Sequence, residues 1–223
     1  GACNTSPTTP LDGLTPEEQS RGREAAKAVR EATDGTGAAF PDAGRPLGRA
    51  ALVIDPPDGR IPAMKPEAIK RLVARENARE GRGEADSYLD RNSWERCISR
   101  TLPVAMIPNL YNNFYQIVQT PSYVVIQMEM IHEARIIPVD GRPHAPERIR
   151  QWLGDSRGRW EGNTLVVETI HFNDKLDGGD LQPSHVIQTG HRGSGKALRL
   201  VERFTRINAA TIDYQFTVAD PAT

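Results

Sequence analysis

The sequence predicts a mainly β protein, an antiparallel meander that forms a small barrel or a curled sheet, with two helices at its N-terminal periphery. Three observations carry this. From Tyr115 onward apolar residues alternate with a period of two, which sets one side of a strand against a core. Short turn-forming stretches interrupt the alternation at Pro121-Ser122, Glu161-Gly162-Asn163 and Asn208-Ala209-Ala210. Helix start signals occur only upstream, before residue 81.

The bulk numbers bound the function classes. The 223 residues suit one full domain with a core. A hydrophobic content of 38% with 26% charged residues gives an ordinary globular composition with a polar surface. The net charge of -1 supplies no field for nucleic acid or an anionic membrane. No apolar run approaches the roughly 20 residues that span a bilayer. Gly1-Ala2-Cys3-Asn4 resembles the end of a lipoprotein signal, with Cys3 carrying the lipid, or else holds a chance cysteine. Cys97 is then either its disulfide partner in an exported protein or, as favoured, a small buried hydrophobe. Membrane contact would come only through lipid on Cys3.

Taken in order, residues 1–14 form a Thr/Pro/Gly-rich tether. Thr15-Pro16-Glu17-Glu18 supplies an N-cap, a first-turn proline and a capping glutamate for a helix to about Thr33. That helix is rich in alanine and suits a surface or a protein partner. Residues 34–50 make a linker, so residues 1–50 form an N-terminal arm and residues 51–223 a single β-rich domain. Ala51-Leu52-Val53-Ile54 reads as a short strand, stopped by Asp55-Pro56-Pro57-Asp58-Gly59. A second helix is expected from Pro66 to about Glu80, with a narrow stripe of Ile69, Leu72 and Val73. Residues 81–108 are irregular and anchored by Trp94 and Cys97. Six strands follow: Tyr115–Thr120, Tyr123–Ile137, Arg159-Trp160, Thr164–Phe172, Leu198–Arg206 and Thr211–Val218. The stretch from Asn173 to Lys196 is a long polar loop, either a lid or disordered.

The strand faces give the first site candidates. One unbroken strand after Tyr123 places Val124, Ile126, Met128, Met130, His132, Ala134 and Ile136 on one side, and Gln127, Glu129, Glu133 and Arg135 on a wet side. Val166, Glu168, Ile170 and Phe172 share a side, as do Leu200, Glu202 and Phe204, and Ile212, Tyr214, Phe216 and Val218. With every apolar face inward, His132, Glu168, Glu202 and Tyr214 meet in one interior. Two carboxylates and an imidazole in apolar surroundings make a proton-transfer set, because burial raises carboxylate pKa values. The same groups could hold a metal, or be satisfied by Arg199, Arg203, Arg206 and a backbone carbonyl. Because Leu165 and Val167 make the other side of their strand apolar too, one bulge would exchange which glutamate faces in.

A second group suits ligand binding. Tyr111 and Asn113 lie in Tyr111-Asn112-Asn113-Phe114-Tyr115, where rings and amides suit the mouth of a barrel, or simply a turn. Arg148, Arg150, Arg157 and Arg159 surround residues 151–156, so these arginines, Arg157 among them, could clamp an anion, and Trp152 or Trp160 could stack on a guanidinium or a sugar ring. The structural alternative is an Asp155–arginine pair that fixes the loop. His171, His185 and His191 are too irregularly spaced for zinc. Gly193-Ser194-Gly195-Lys196 lacks the rest of a phosphate loop, and neither a serine-hydrolase elbow nor a dinucleotide fingerprint is present. No cofactor and no metal are implied.

Several strings resemble a large family of uncharacterised exported bacterial proteins. They are Asp55-Pro-Pro-Asp-Gly-Arg60, Tyr115-Gln-Ile-Val-Gln-Thr-Pro121, Glu129-Met-Ile-His132 with Ala134-Arg-Ile136, Asp140-Gly-Arg142 with His144, Gly154-Asp-Ser-Arg-Gly-Arg-Trp-Glu-Gly162, and Leu198-Arg-Leu-Val-Glu-Arg-Phe-Thr205. The resemblance covers roughly residues 52–221 and implies export to the periplasm or cell surface and a β-rich body. The segment before residue 50 departs from it, and the family pattern implies a further strand beyond Thr223. The reading that results is an exported barrel-like protein holding a small apolar or aromatic molecule, with cofactor-independent lyase, isomerase or hydrolase chemistry as an extension. The alternative is a non-catalytic accessory subunit or lipoprotein of an envelope complex, with a protein partner on the N-terminal arm.

Overall fold

The computed structural model describes residues 53–57, 59, 62–63, 65–78, 80–83, 85–91, 93, 95–107, 112–175 and 195–223. The chain divides into two compact units, Gly1–Arg60 and Ile61–Thr223, a boundary ten residues beyond the expected one. The expected helix over 15–33 lies outside the described residues. Val53 and Ile54 do not form a strand, and Ile54 is exposed.

In the second unit, α1 spans Pro66–Asn77. It opens on a proline, which fits the first helical position because its missing N–H would go unpaired there anyway. Ile69, expected on its buried stripe, is exposed, whereas Ala68 is buried. Lys65 N–H donates to Thr223 O at 3.2 Å, and Arg71 Nη2 donates to Ala222 O at 2.6 Å, tying the helix to the chain's last residues. Cys97 is exposed and disulfide-bonded, not a buried hydrophobe.

Seven strands follow: β1 Tyr115–Gln119, β2 Tyr123–Met128, β3 Ala134–Pro138, β4 Asp155–Glu161, β5 Thr164–Ile170, β6 Arg199–Asn208 and β7 Thr211–Ala219. They form two antiparallel sheets, β1-β2-β3 and β4-β5-β6-β7. The meander is present but the barrel is not closed, because β3 and β4 are not hydrogen-bonded neighbours. The long strand expected after Tyr123 is two. A 3-10 turn at Met130–His132, with Ile131 at φ 63° and His132 at φ 58°, folds the chain back so that β2 pairs with β3.

That turn decides the faces. Arg135 pairs with Ile126, and Ile137 with Val124, so both join the buried side. Ile136, expected inside, is 64% exposed. In the other sheet, Ser156, Thr169 and Leu200 stand in register, as do Val167, Glu202 and Phe216, and Leu165, Phe204 and Tyr214. Inner residues of both sheets (Val124, Ile126, Met128, Ile137, Leu165, Val167, Leu200 and Phe204) share one core with Leu102, Ala105, Met106, Phe172 and Leu198. Each fully buried Leu or Phe there contributes about 1.5–3 kcal/mol. On the outer face Val166 is also buried, flanked in register by Arg159 and Arg203, both of which bond Glu161.

Candidate functional site

The expected proton-transfer set does not assemble. His132 sits exposed in the β2–β3 turn, off any strand face. Glu168 lies on the outer face of β5, where Arg199 Nε donates to its Oε1 at 2.6 Å. Glu202 alone is interior, at 0% exposure. Tyr214 does reach it, donating its hydroxyl to Oε1 at 2.9 Å. Burial, and then the Glu202 carboxylate, push the Tyr214 phenol well above its ordinary range.

The group that completes this centre is Arg135, which alternation had placed on the wet side. Its Nη1 donates to Glu202 Oε1 at 2.9 Å and its Nη2 to Oε2 at 2.6 Å. Nη2 also donates to Ser156 Oγ at 3.3 Å and Thr169 Oγ1 at 3.4 Å, and those two hydroxyls are 2.9 Å apart. Arg135 Nε is buried without a hydrogen-bond partner among the described residues. A two-pronged buried pair of this kind ties β3 to β6 across the two sheets. Both carboxylate oxygens are already engaged, so it is an anchor and not a proton-transfer centre.

A different cluster has the geometry of a reactive site. It forms where the loop after β3, the start of β4 and the end of β5 meet. Asp155, the first residue of β4, is nearly buried. Its Oδ2 stands 2.7 Å from His144 Nδ1 and accepts the Ala145 N–H at 2.9 Å. Its Oδ1 accepts Arg157 Nη1 at 2.7 Å. Burial pushes the Asp155 carboxyl up, but donors from Ala145, His144 and Arg157 outweigh it, and the net direction is down. An ionised Asp155 can only accept, so His144 Nδ1 carries the proton of this bond, and Nε2 lies on the far side of the ring from it. His144 keeps 22% of its side chain exposed. The His171 ring stands edge-on to it, 6.0 Å away between centroids and at 71°.

His171 is held by its neighbours in an unfavourable backbone. Its φ is 58°, a conformation that persists in a non-glycine residue only where packing enforces it. Gln151 N–H donates to His171 O at 3.1 Å, and Arg150 Nη1 donates to the carbonyls of Phe172 and Lys196. The turn beneath needs Gly154, at φ 67°, because a Cβ there would lie 2.7 Å from Ile170 O. His171 Nδ1 is buried with no hydrogen-bond partner among the described residues. Among those residues no three His, Cys, Asp or Glu side chains gather as a metal site.

No protein-family model, no curated protein and no solved structure matches the chain.

The expected ligand-binding residues divide. Arg157 lies in this cluster, but Pro143 O holds its Nε, and Asp155 Oδ1 and Ser156 O hold its Nη1. The Asp155–arginine pair that would fix the loop is therefore present. Trp160 is half exposed on β4 in the four-stranded sheet, whereas Asn113 is exposed just before β1 in the three-stranded one. Tyr111, His185 and His191 lie outside the described residues. Alternation could not reveal His144, which belongs to a loop. The usable signal was two motif strings, one holding His144 and the other Asp155, within eleven residues.

The Asp155 bonds give an acid-stability prediction. The carboxyl titrates lower folded than unfolded, so its contribution is complete above the unfolded value of about 3.9 and is lost as pH falls through the folded value. The wild-type advantage over Asp155→Asn in urea midpoint should be full at pH 6 and shrink below the ordinary carboxylate range. An advantage independent of pH would mean that the paired carboxylate is not its source.

Proposed function

We propose that this chain is an exported β protein that binds a small apolar or aromatic molecule beside His144, which serves as a general base toward it. The observation that carries this reading is the Asp155–His144 bond of 2.7 Å. A buried, fully bonded carboxylate fixes the imidazole's tautomer and direction while its Nε2 stays unbonded among the described residues, as general-base chemistry requires. The neighbouring His171 ring, with a buried polar nitrogen in need of a partner, supplies a second group for orientation or proton return. Lyase, isomerase or hydrolase chemistry without a cofactor remains the reaction class. The site lies at the rim near β4 and β5, since the interior is occupied by side chains and the Arg135–Glu202 pair. Export is supported by the disulfide on Cys97, and no helix among the described residues is long and apolar enough to cross a membrane.

The test is a fragment screen followed by backbone and imidazole NMR. Aromatic fragments should shift His144, Asp155 and His171 together, and Asp155→Asn should weaken those shifts. Hits that cluster elsewhere, or no hits, would end this reading.

A further inference from the structure

We infer that β1 is a self-association edge, at which a second copy of this chain adds antiparallel to extend the three-stranded sheet. Among the described residues β1 pairs only with β2, and within that set the backbone donors and acceptors of its other edge have no strand partner. The four residues after Tyr115 are all exposed, and Ile117 and Val118 are each 46% exposed. Natural edges are usually blunted by lysine, proline or a bulge. Here Phe114–Thr120 contains no charge and no proline, and the β1–β2 register runs without a shift. The other edge strands all carry charge: Arg135 on β3, Asp155, Arg157, Arg159 and Glu161 on β4, and Asp213 on β7.

The occupant follows from self-complementarity. A two-fold axis at Ile117 sets Ile117 opposite its copy, Gln116 opposite Val118 and Tyr115 opposite Gln119, so apolar and amide groups meet and no like charges do. A net charge of -1 leaves little repulsion between copies. A charged peptide would find no complement on this strand. Outward, Val118 continues through Val125 to Ile136, giving the joined sheet one apolar strip.

Sedimentation velocity across a concentration series tests this on the full chain. Wild type should form a dimer, and Ile117→Lys should weaken it about tenfold or more by setting two ammonium groups face to face. Mixing Ile117→Lys with Ile117→Glu should restore a heterodimer. Ile136→Lys, equally apolar in origin but on β3, should leave the dimer intact. If Ile117→Lys loses its β circular dichroism, Val118→Lys with Gln116→Glu, which stand opposite one another in this register, replaces that pair. A wild-type monomer at every concentration, or a dimer that survives the lysine in a folded chain, would overturn the proposal.

Discussion

Replacing Arg135 by alanine is expected to lower folding stability by about 3–5 kcal/mol, the cost of leaving a buried charge without its partner. Urea denaturation followed by tryptophan fluorescence would read it. The guanidinium makes two bonds to Glu202 and further contacts to Ser156 and Thr169, with both charged side chains at 1% exposure or less. Without it, Glu202 keeps only the Tyr214 hydroxyl as a side-chain donor among the described residues. The double variant Arg135→Met, Glu202→Leu should recover most of the loss, because an apolar pair of similar volume avoids desolvating either charge. Recovery would show that the pair specifies how the sheets meet more than it stabilises them. A loss below about 1 kcal/mol would instead match an exposed ion pair and contradict the burial described.

Phe172→Ala is expected to cost about 3–5 kcal/mol as well, from lost transfer energy and the cavity left behind. Phe172 is 0% exposed and belongs to the shared core. It also follows His171, whose φ of 58° depends on the packing around it. The variant should therefore shift the imidazole NMR signals of both His171 and His144, although Phe172 bears no polar group. Leu200→Ala, equally buried but on β6, should cost about 2–5 kcal/mol while leaving those signals in place. Equal imidazole shifts in both variants would mean that the ring pair responds to core loosening in general.

Period-two alternation located β1, the β4–β5 and β6–β7 hairpins and the mainly β class, because local pattern and final structure agree there. It failed between Met128 and Ala134, where a two-residue left-handed turn built from Ile131 and His132 exchanged the faces. Ile131 is β-branched and strongly disfavours that conformation, and His132 adopts it only more often than most residues do, so no local signal was specific enough to announce it. The consequence reached the site candidates: His132 moved to solvent and Arg135 moved to the core. On β5, apolar on both sides, alternation could not choose between Glu168 and Val167, and the pairing of Val167 with Glu202 chose.

By itself, the sequence determined most of the strand segments beyond Tyr115, most of the turns and the start of the helix at Pro66, and it offered the Asp155–arginine pair as one of two readings, since each rests on interactions a few residues apart. Only the tertiary structure decided that the meander divides into two sheets, that Arg135 meets Glu202 from 67 positions away, and that Asp155 orients His144 beside His171. Those outcomes depend on strand register and on long-range pairing, where a shift of one residue reverses every side chain.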